Sequence, residues 1–206
     1  MSLTANEVNA LKKAPPVEGV LPAFHERWSP RAFAARAVRA ETLKKLFEAV
    51  RWAPSAFNEQ PWRFLVGRKD DATWSNILST LAGFNKTWAQ SAPVLILGVA
   101  RVRFSHNETE NAYASYDLGA ASAHLVLQAA ALGLGAHQMA GFDREAARQA
   151  FGVPAEYTPE IAIALGYQGE PEGLGDATLI ERELAPRSRK ALGEIVFSEW
   201  GRAVQL

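Results

Sequence analysis

The spacing of hydrophobic and polar positions changes several times along the chain, and each change marks an element. Leu43, Leu46, Phe47 and Val50 recur at helical spacing while Lys44, Lys45, Glu48 and Arg51 take the other side, which predicts an amphipathic helix ending near Ala53-Pro54. The run 63–67 reads as a strand, and 72 to about 81 as a second helix. From 93 to 100 the chain is apolar at consecutive positions, as expected of a central strand covered on both faces. A polar loop at 101–109 leads into a long helix from about 110 to 132, stopped by Gly133-Leu134-Gly135. A short strand at 136–140, a helix capped by Asp143 and running to about Phe151, and a strand at 160–166 follow.

The flanks are less regular. Residues 1 to about 26 read as a helix and a connection punctuated by Pro15, Pro16 and Pro22. The Gly- and Glu-rich stretch 168–176 reads as a surface loop. The segment 187–206 holds a strand candidate at 194–197 but no helix of its own to pack against, so it lies either on its own core or on another subunit. No internal repeat and no low-complexity linker interrupts the chain, and its length fits one domain over residues 1–206.

Composition narrows the function classes. Lys plus Arg and Asp plus Glu both number 22, so no global field draws the chain to nucleic acid or to an anionic membrane, and any basic site must be local. The absence of cysteine removes disulfides, thiolate nucleophiles and cysteine-ligated metals. The N-terminus does not read as a signal peptide, which makes the cytoplasm the default compartment. The uncharged stretch 118–142 is long enough to suggest a membrane span. It is Ala-rich, however, carries His124, Gln128, His137 and Gln138, and is broken by two glycines, which suits a buried helix better.

Several familiar chemistries are excluded. Gly133-Leu134-Gly135 starts like a dinucleotide fingerprint, but Gln138 stands where its third glycine belongs. No Walker loop and no serine elbow occurs, and the four histidines are not spaced as metal pairs, so no metal site is expected. His124 reads as a hydrogen-bonded core residue.

Three segments carry candidate chemistry. In Arg27-Trp28-Ser29-Pro30-Arg31, two guanidinium forks and a hydroxyl stand close enough to grip one dianionic phosphate, although an ordinary exposed basic turn has the same composition. Between the amphipathic helix and the first strand, the run from Ala53 to Trp62 is stiffened by two prolines. Ser55 and Ala56 permit close approach to a flat ring, and Asn58 and Gln60 add directed polar groups. The alternative is a rigid loop with Trp62 as a core anchor. Arg187-Ser188-Arg189-Lys190 repeats the first chemistry near the C-terminus, either converging on the same phosphate or standing apart as solvated charge.

Taken in order, ERWSPRAF, APSAFNEQPWRF, DLGAASAHLVLQAAALGLGAHQMAGF and RSRKALGEIV resemble the nitroreductase family of flavoproteins, over nearly the whole chain from about residue 26. The resemblance implies an α+β fold of three layers, a central mixed and mainly antiparallel sheet surrounded by helices. It also implies an intertwined homodimer with FMN at the subunit interface. On the matching motifs, Arg27, Trp28, Ser29 and Arg31 would hold the FMN phosphate and ribityl, with Arg187 and Arg189 completing the phosphate site. Pro54, Ser55, Ala56 and Asn58 would line the isoalloxazine from the partner subunit. Gln138, Met139, Ala140 and Gly141 would run along the ring near N5, and Asn85 would lie near its edge. Ala140 stands where several enteric relatives carry glutamate, and the loop 101–116 matches no subgroup, which leaves substrate choice open.

The implied reaction is a ping-pong cycle. NADH or NADPH delivers hydride to flavin N5, and a nitroaromatic, quinone or similar acceptor then takes the electrons. No side chain is assigned a catalytic role, because the cofactor carries the chemistry. A flavin-cleaving or dehalogenating relative would use the same FMN site, and a redox-sensing flavin binder without turnover is the reading from another class.

Overall fold

The computed structural model describes residues 3–206. Two short helices open the chain, α1 (Ala5–Lys12) and α2 (Pro22–Glu26). Helix α1 starts on a reciprocal capping box in which Thr4 and Glu7 satisfy each other's backbone N–H groups. Helix α3 (Ala40–Arg51) is the amphipathic helix expected from the sequence and buries Leu43, Leu46 and Val50. Strand β1 (Trp62–Arg68) follows, then α4 (Ala72–Thr80), α5 (Gly83–Ala89) and β2 (Val94–Arg101). The 18-residue α6 (Ala114–Ala131) comes next, then β3 (Gly135–Met139), α7 (Arg144–Phe151), β4 (Tyr157–Gly166), α8 (Ala177–Leu184) and the small pair β5 (Phe197–Glu199) and β6 (Arg202–Ala203).

Four strands form the central sheet in the order β1-β2-β4-β3, and every pairing among them is antiparallel. The expected mixed sheet is thus narrowed to a purely antiparallel one within this chain. Strand β2 is buried along nearly its whole length, as its unbroken apolar run required. Its side chains divide by the two-residue strand period: Val94 and Ile96 face the core built with α3 and α6, while Leu95, Leu97 and Val99 face the core that includes Trp74 and Ile77 of α4 and Ala147 of α7. Three layers result, helices on each side of one sheet.

The long helix begins at Ala114 rather than near residue 110, because Asn111 opens a turn whose carbonyl accepts the Ala114 N–H. It stops where Gly133 adopts a left-handed φ of 72°. His124 is a packing residue as expected, its Nδ1 lying 3.1 Å from the Ala49 carbonyl. Three helices escaped the sequence reading: α2, inside the stretch read as a Pro-punctuated connection, α5, and α8, which directly follows the stretch read as a loop and is capped by Asp176. The C-terminal strand lies at 197–199 rather than 194–197, paired only with β6. Trp200 at its tip is 98% exposed, so this tail buries almost nothing on its own chain.

Candidate functional site

The basic segment 27–31 leaves α2 in extended conformation at Arg27 and passes against strand β3 at Pro30. Three backbone ties fix its exit: Ala34 N–H donates to the Tyr167 carbonyl, Gly169 N–H to that of Ala32, and Phe33 bridges Gln168. Pro30 is buried, and its carbonyl accepts a hydrogen bond from His137 Nδ1 at 2.9 Å. Strand β3 comes so near that a Cβ built on Gly135 would lie 2.3 Å from Pro30 Cγ. Only glycine permits this approach.

Burial pushes His137 down to about 4, against the hydrogen bond to Pro30, which raises it, and with Arg31 adding to the depression. The ring is neutral near pH 7 and donates through Nδ1. Its face packs on Trp88, 4.5 Å between centroids.

Glu183 supplies the anchor from α8. It has no exposed surface, and both of its oxygens lie 3.0 Å from the Arg31 N–H, with the Ala32 N–H at 3.1 Å and Gln168 Nε2 at 3.2 Å. The Arg31 guanidinium is farther, 4.0 Å away, and its Nε is buried without a partner. The carboxylate thus fixes the backbone of the segment and leaves most of the guanidinium uncommitted.

Around this anchor the two distant arginine segments meet. A cavity of about 250 Å³ is lined by the cationic side chains of Lys12, Arg27, Arg31, Arg182, Arg187 and Arg189, together with Trp28 and Ser29. Burial lowers the affinity of Arg27 for its proton, and Arg189 adds to this; Arg187 is lowered by burial and by both of them. Like charges held this closely, with Glu183 beneath them, make the cavity favourable to an anion. A phosphate fits this donor set, since several forked guanidinium groups and a hydroxyl face one space.

Not every predicted group is free for that task. Arg187 Nη1 donates to the carbonyls of Lys12 and His25, at 2.6 and 3.1 Å, so it also ties the C-terminal segment to the N-terminal helices. Trp28 donates its indole N–H to Asn9 Oδ1 at 2.9 Å and offers the cavity only its ring. Lys12, Arg182 and Glu183 were missed from the sequence. Lys12, nearly buried, donates to the Ala185 carbonyl and lies 5.1 Å from the Trp28 ring centroid.

A second cavity of about 210 Å³ shares Arg27 and Trp28 with the first and extends along Ala130, Gly133 and Gly135 at the end of α6. From there β3 leads to residues 138–141 on the edge of the sheet. Gln138, Ala140 and Gly141 are exposed, whereas the Met139 side chain is buried at 3% and offers only its backbone. Asn85 stands beside this run, its Nδ2 donating to the Gly141 carbonyl at 3.0 Å.

The segment 54–58 sits elsewhere. Ala56 N–H donates to the buried Asp117 Oδ2 at 3.1 Å, in the first turn of α6. From Asp117 to Ala130 the helix rises about 20 Å, at roughly 1.5 Å per residue. Pro54, Ser55, Ala56 and Asn58 therefore stand at one end of α6 and the arginine cavity at the other. Within one chain they do not meet.

A family model described as the nitroreductase family matches residues 25–83 and 75–167. An uncharacterized 15.4 kDa protein of Mycolicibacterium smegmatis is 40% identical over 147 residues, covering 68% of this chain and 97% of its own. An NADH dehydrogenase of Thermus thermophilus is 29% identical over 186 residues, covering 75% of this chain and 89% of its own. The crystal structure of an oxidoreductase containing FMN matches with a TM-score of 0.83 at 33% identity, over 96% of this chain and 97% of that one. No helix among the described residues is long and apolar enough to cross a membrane.

Proposed function

The chain belongs to the nitroreductase family, and from that premise we propose that it is an FMN-dependent oxidoreductase, a single FMN-binding domain that works as a homodimer. One observation carries the reading: Arg27 and Arg31 from one end of the chain and Arg187 and Arg189 from the other line a single cavity. When bound, FMN supplies the relay of electrons from NADH or NADPH to an acceptor such as a nitroaromatic or quinone.

The protein's own residues bind and orient. Arg27, Ser29, Arg31 and Arg189 hold the phosphate, and Arg187 divides its donors between that cavity and two backbone carbonyls. Gln138, the backbone of Met139, Ala140 and Gly141 lie along the ring, with Gly141 held by Asn85. Pro54, Ser55, Ala56 and Asn58 reach the ring from a second copy, because α6 keeps the same chain's own loop about 20 Å from its arginine cavity.

An anaerobic titration tests donor, cofactor and reaction class together. Protein loaded with FMN is expected to lose its oxidised-flavin absorbance on addition of NADH or NADPH and to recover it on addition of a quinone. Protein that takes up no FMN overturns the reading, and bound flavin that neither nicotinamide bleaches reduces it to a flavin binder without turnover.

A further inference from the structure

Phe57 stands out on two counts. Its φ is 53°, in the left-handed region that is strained for a bulky side chain, and its neighbours Asn58 and Gln60 share that region at 54° and 50°. Such strain is ordinarily offset by burial of the side chain, yet Phe57 is 83% exposed. The backbone thus turns the ring outward.

The ring is not alone. Phe104 meets it edge-on with centroids 5.7 Å apart, and His106 packs on Phe104 at 5.4 Å and near Phe57 at 6.3 Å. These rings come from two loops that are latched together. Glu59, whose side chain is 5% exposed, accepts hydrogen bonds from Ser105 N–H at 2.7 Å and Ser105 Oγ at 3.1 Å. Arg101 lies 3.7 Å from the same carboxylate and 2.7 Å from Glu108, so its charge is paired. Two loops tied in this way present three aromatic rings as one surface. Ala56 and Asn58, which flank Phe57 in sequence, are the residues proposed above to line the flavin ring.

We infer that Phe57, Phe104 and His106 form a stacking wall for the electron acceptor and select a flat aromatic ring over other oxidants, with Glu59 as the positioning residue that latches the wall. The inference rests on the flavin reading and adds to it the residues that choose the acceptor. Aromatic rings meeting offset or edge to face gain beyond simple burial, which makes a planar quinone a better occupant than a non-planar oxidant of equal potential.

The test is a binding titration without turnover: 1,4-naphthoquinone is titrated calorimetrically into oxidised, FMN-loaded protein with no nicotinamide present. Phe57→Ala and Phe104→Ala are each expected to raise its Kd roughly three- to tenfold, Phe57→Tyr to keep the wild-type value, and all three to keep the FMN content of wild type. Unchanged naphthoquinone affinity in both alanine variants, with FMN in place, overturns the wall. The same result accompanied by a weakened dimer assigns the rings to subunit contact instead. Wild-type protein that takes up no FMN overturns the flavin reading and this inference with it.

Discussion

Both carboxylate oxygens of Glu183 lie 3.0 Å from the backbone nitrogen of Arg31, whereas the guanidinium of the same arginine stays 4.0 Å away. The buried acid therefore acts first on the path of the chain and only second on its charge. It places the segment 27–31 and leaves the arginine side chain directed at the cavity it shares with Arg27 and Arg189.

Removing that tether should be costly. Glu183→Ala strands the N–H groups of Arg31 and Ala32 and leaves a partly buried guanidinium without its carboxylate. A loss of about 3 kcal/mol in unfolding free energy is expected, read by urea denaturation. A variant within about 0.5 kcal/mol of wild type would show that the segment holds its shape without the Glu183 carboxylate.

On the proposed phosphate site, Arg27→Ala should remove a charge-assisted bond of about 1.5–3 kcal/mol, so FMN retention should weaken by roughly one to two decades. Flavin affinity measured by equilibrium dialysis decides the point, and wild-type affinity in the variant would place the phosphate elsewhere.

His137 makes stability depend on pH. Burial holds its folded pKa at about 4, below its ordinary value of 6.5. Between these values the unfolded chain binds more protons than the folded one, so stability rises with pH there. The contribution is fully present above pH 6.5 and is lost as pH falls toward 4, by about 3 kcal/mol in all. Thermal unfolding of wild type and His137→Gln from pH 4 to 7.5 should show this slope in wild type alone. Parallel profiles would mean that other groups set it.

The proposed two-chain site predicts a particular complementation. In a heterodimer of Arg27→Ala and Asn58→Ala chains, one site carries both substitutions and the other carries neither. Flavin uptake should reach one tight equivalent per two chains, against weakened binding in each homodimer. Two equally weakened sites would place both residues on the same flavin from one chain.

What could be read in advance follows physical lines. Helix α3 and strand β2 were legible because their apolar periods are long and unmixed, and α7 because Asp143 caps it, accepting from the Ala146 N–H at 2.9 Å. Helix α8 was not. It is eight residues long, and the residue it buries most deeply is Glu183, which a hydrophobic pattern counts as polar. Helix α5 is shorter still and begins with glycine. The arginine segments and the loop 53–62 stood out as short motifs, yet their meeting or separation did not. That depends on where the sheet and α6 carry them, and Lys12 joins the cavity only through tertiary packing.

The span of α6 has a further consequence. On the proposed two-chain site, a pocket whose two halves stand about 20 Å apart on each chain would be completed only when chains associate, which would put the cofactor under mass action. Dilution should bleed flavin from the protein as the chains part, and added FMN should hold them together by the same free energy, so that the colour of the solution reports its concentration as well as its redox state.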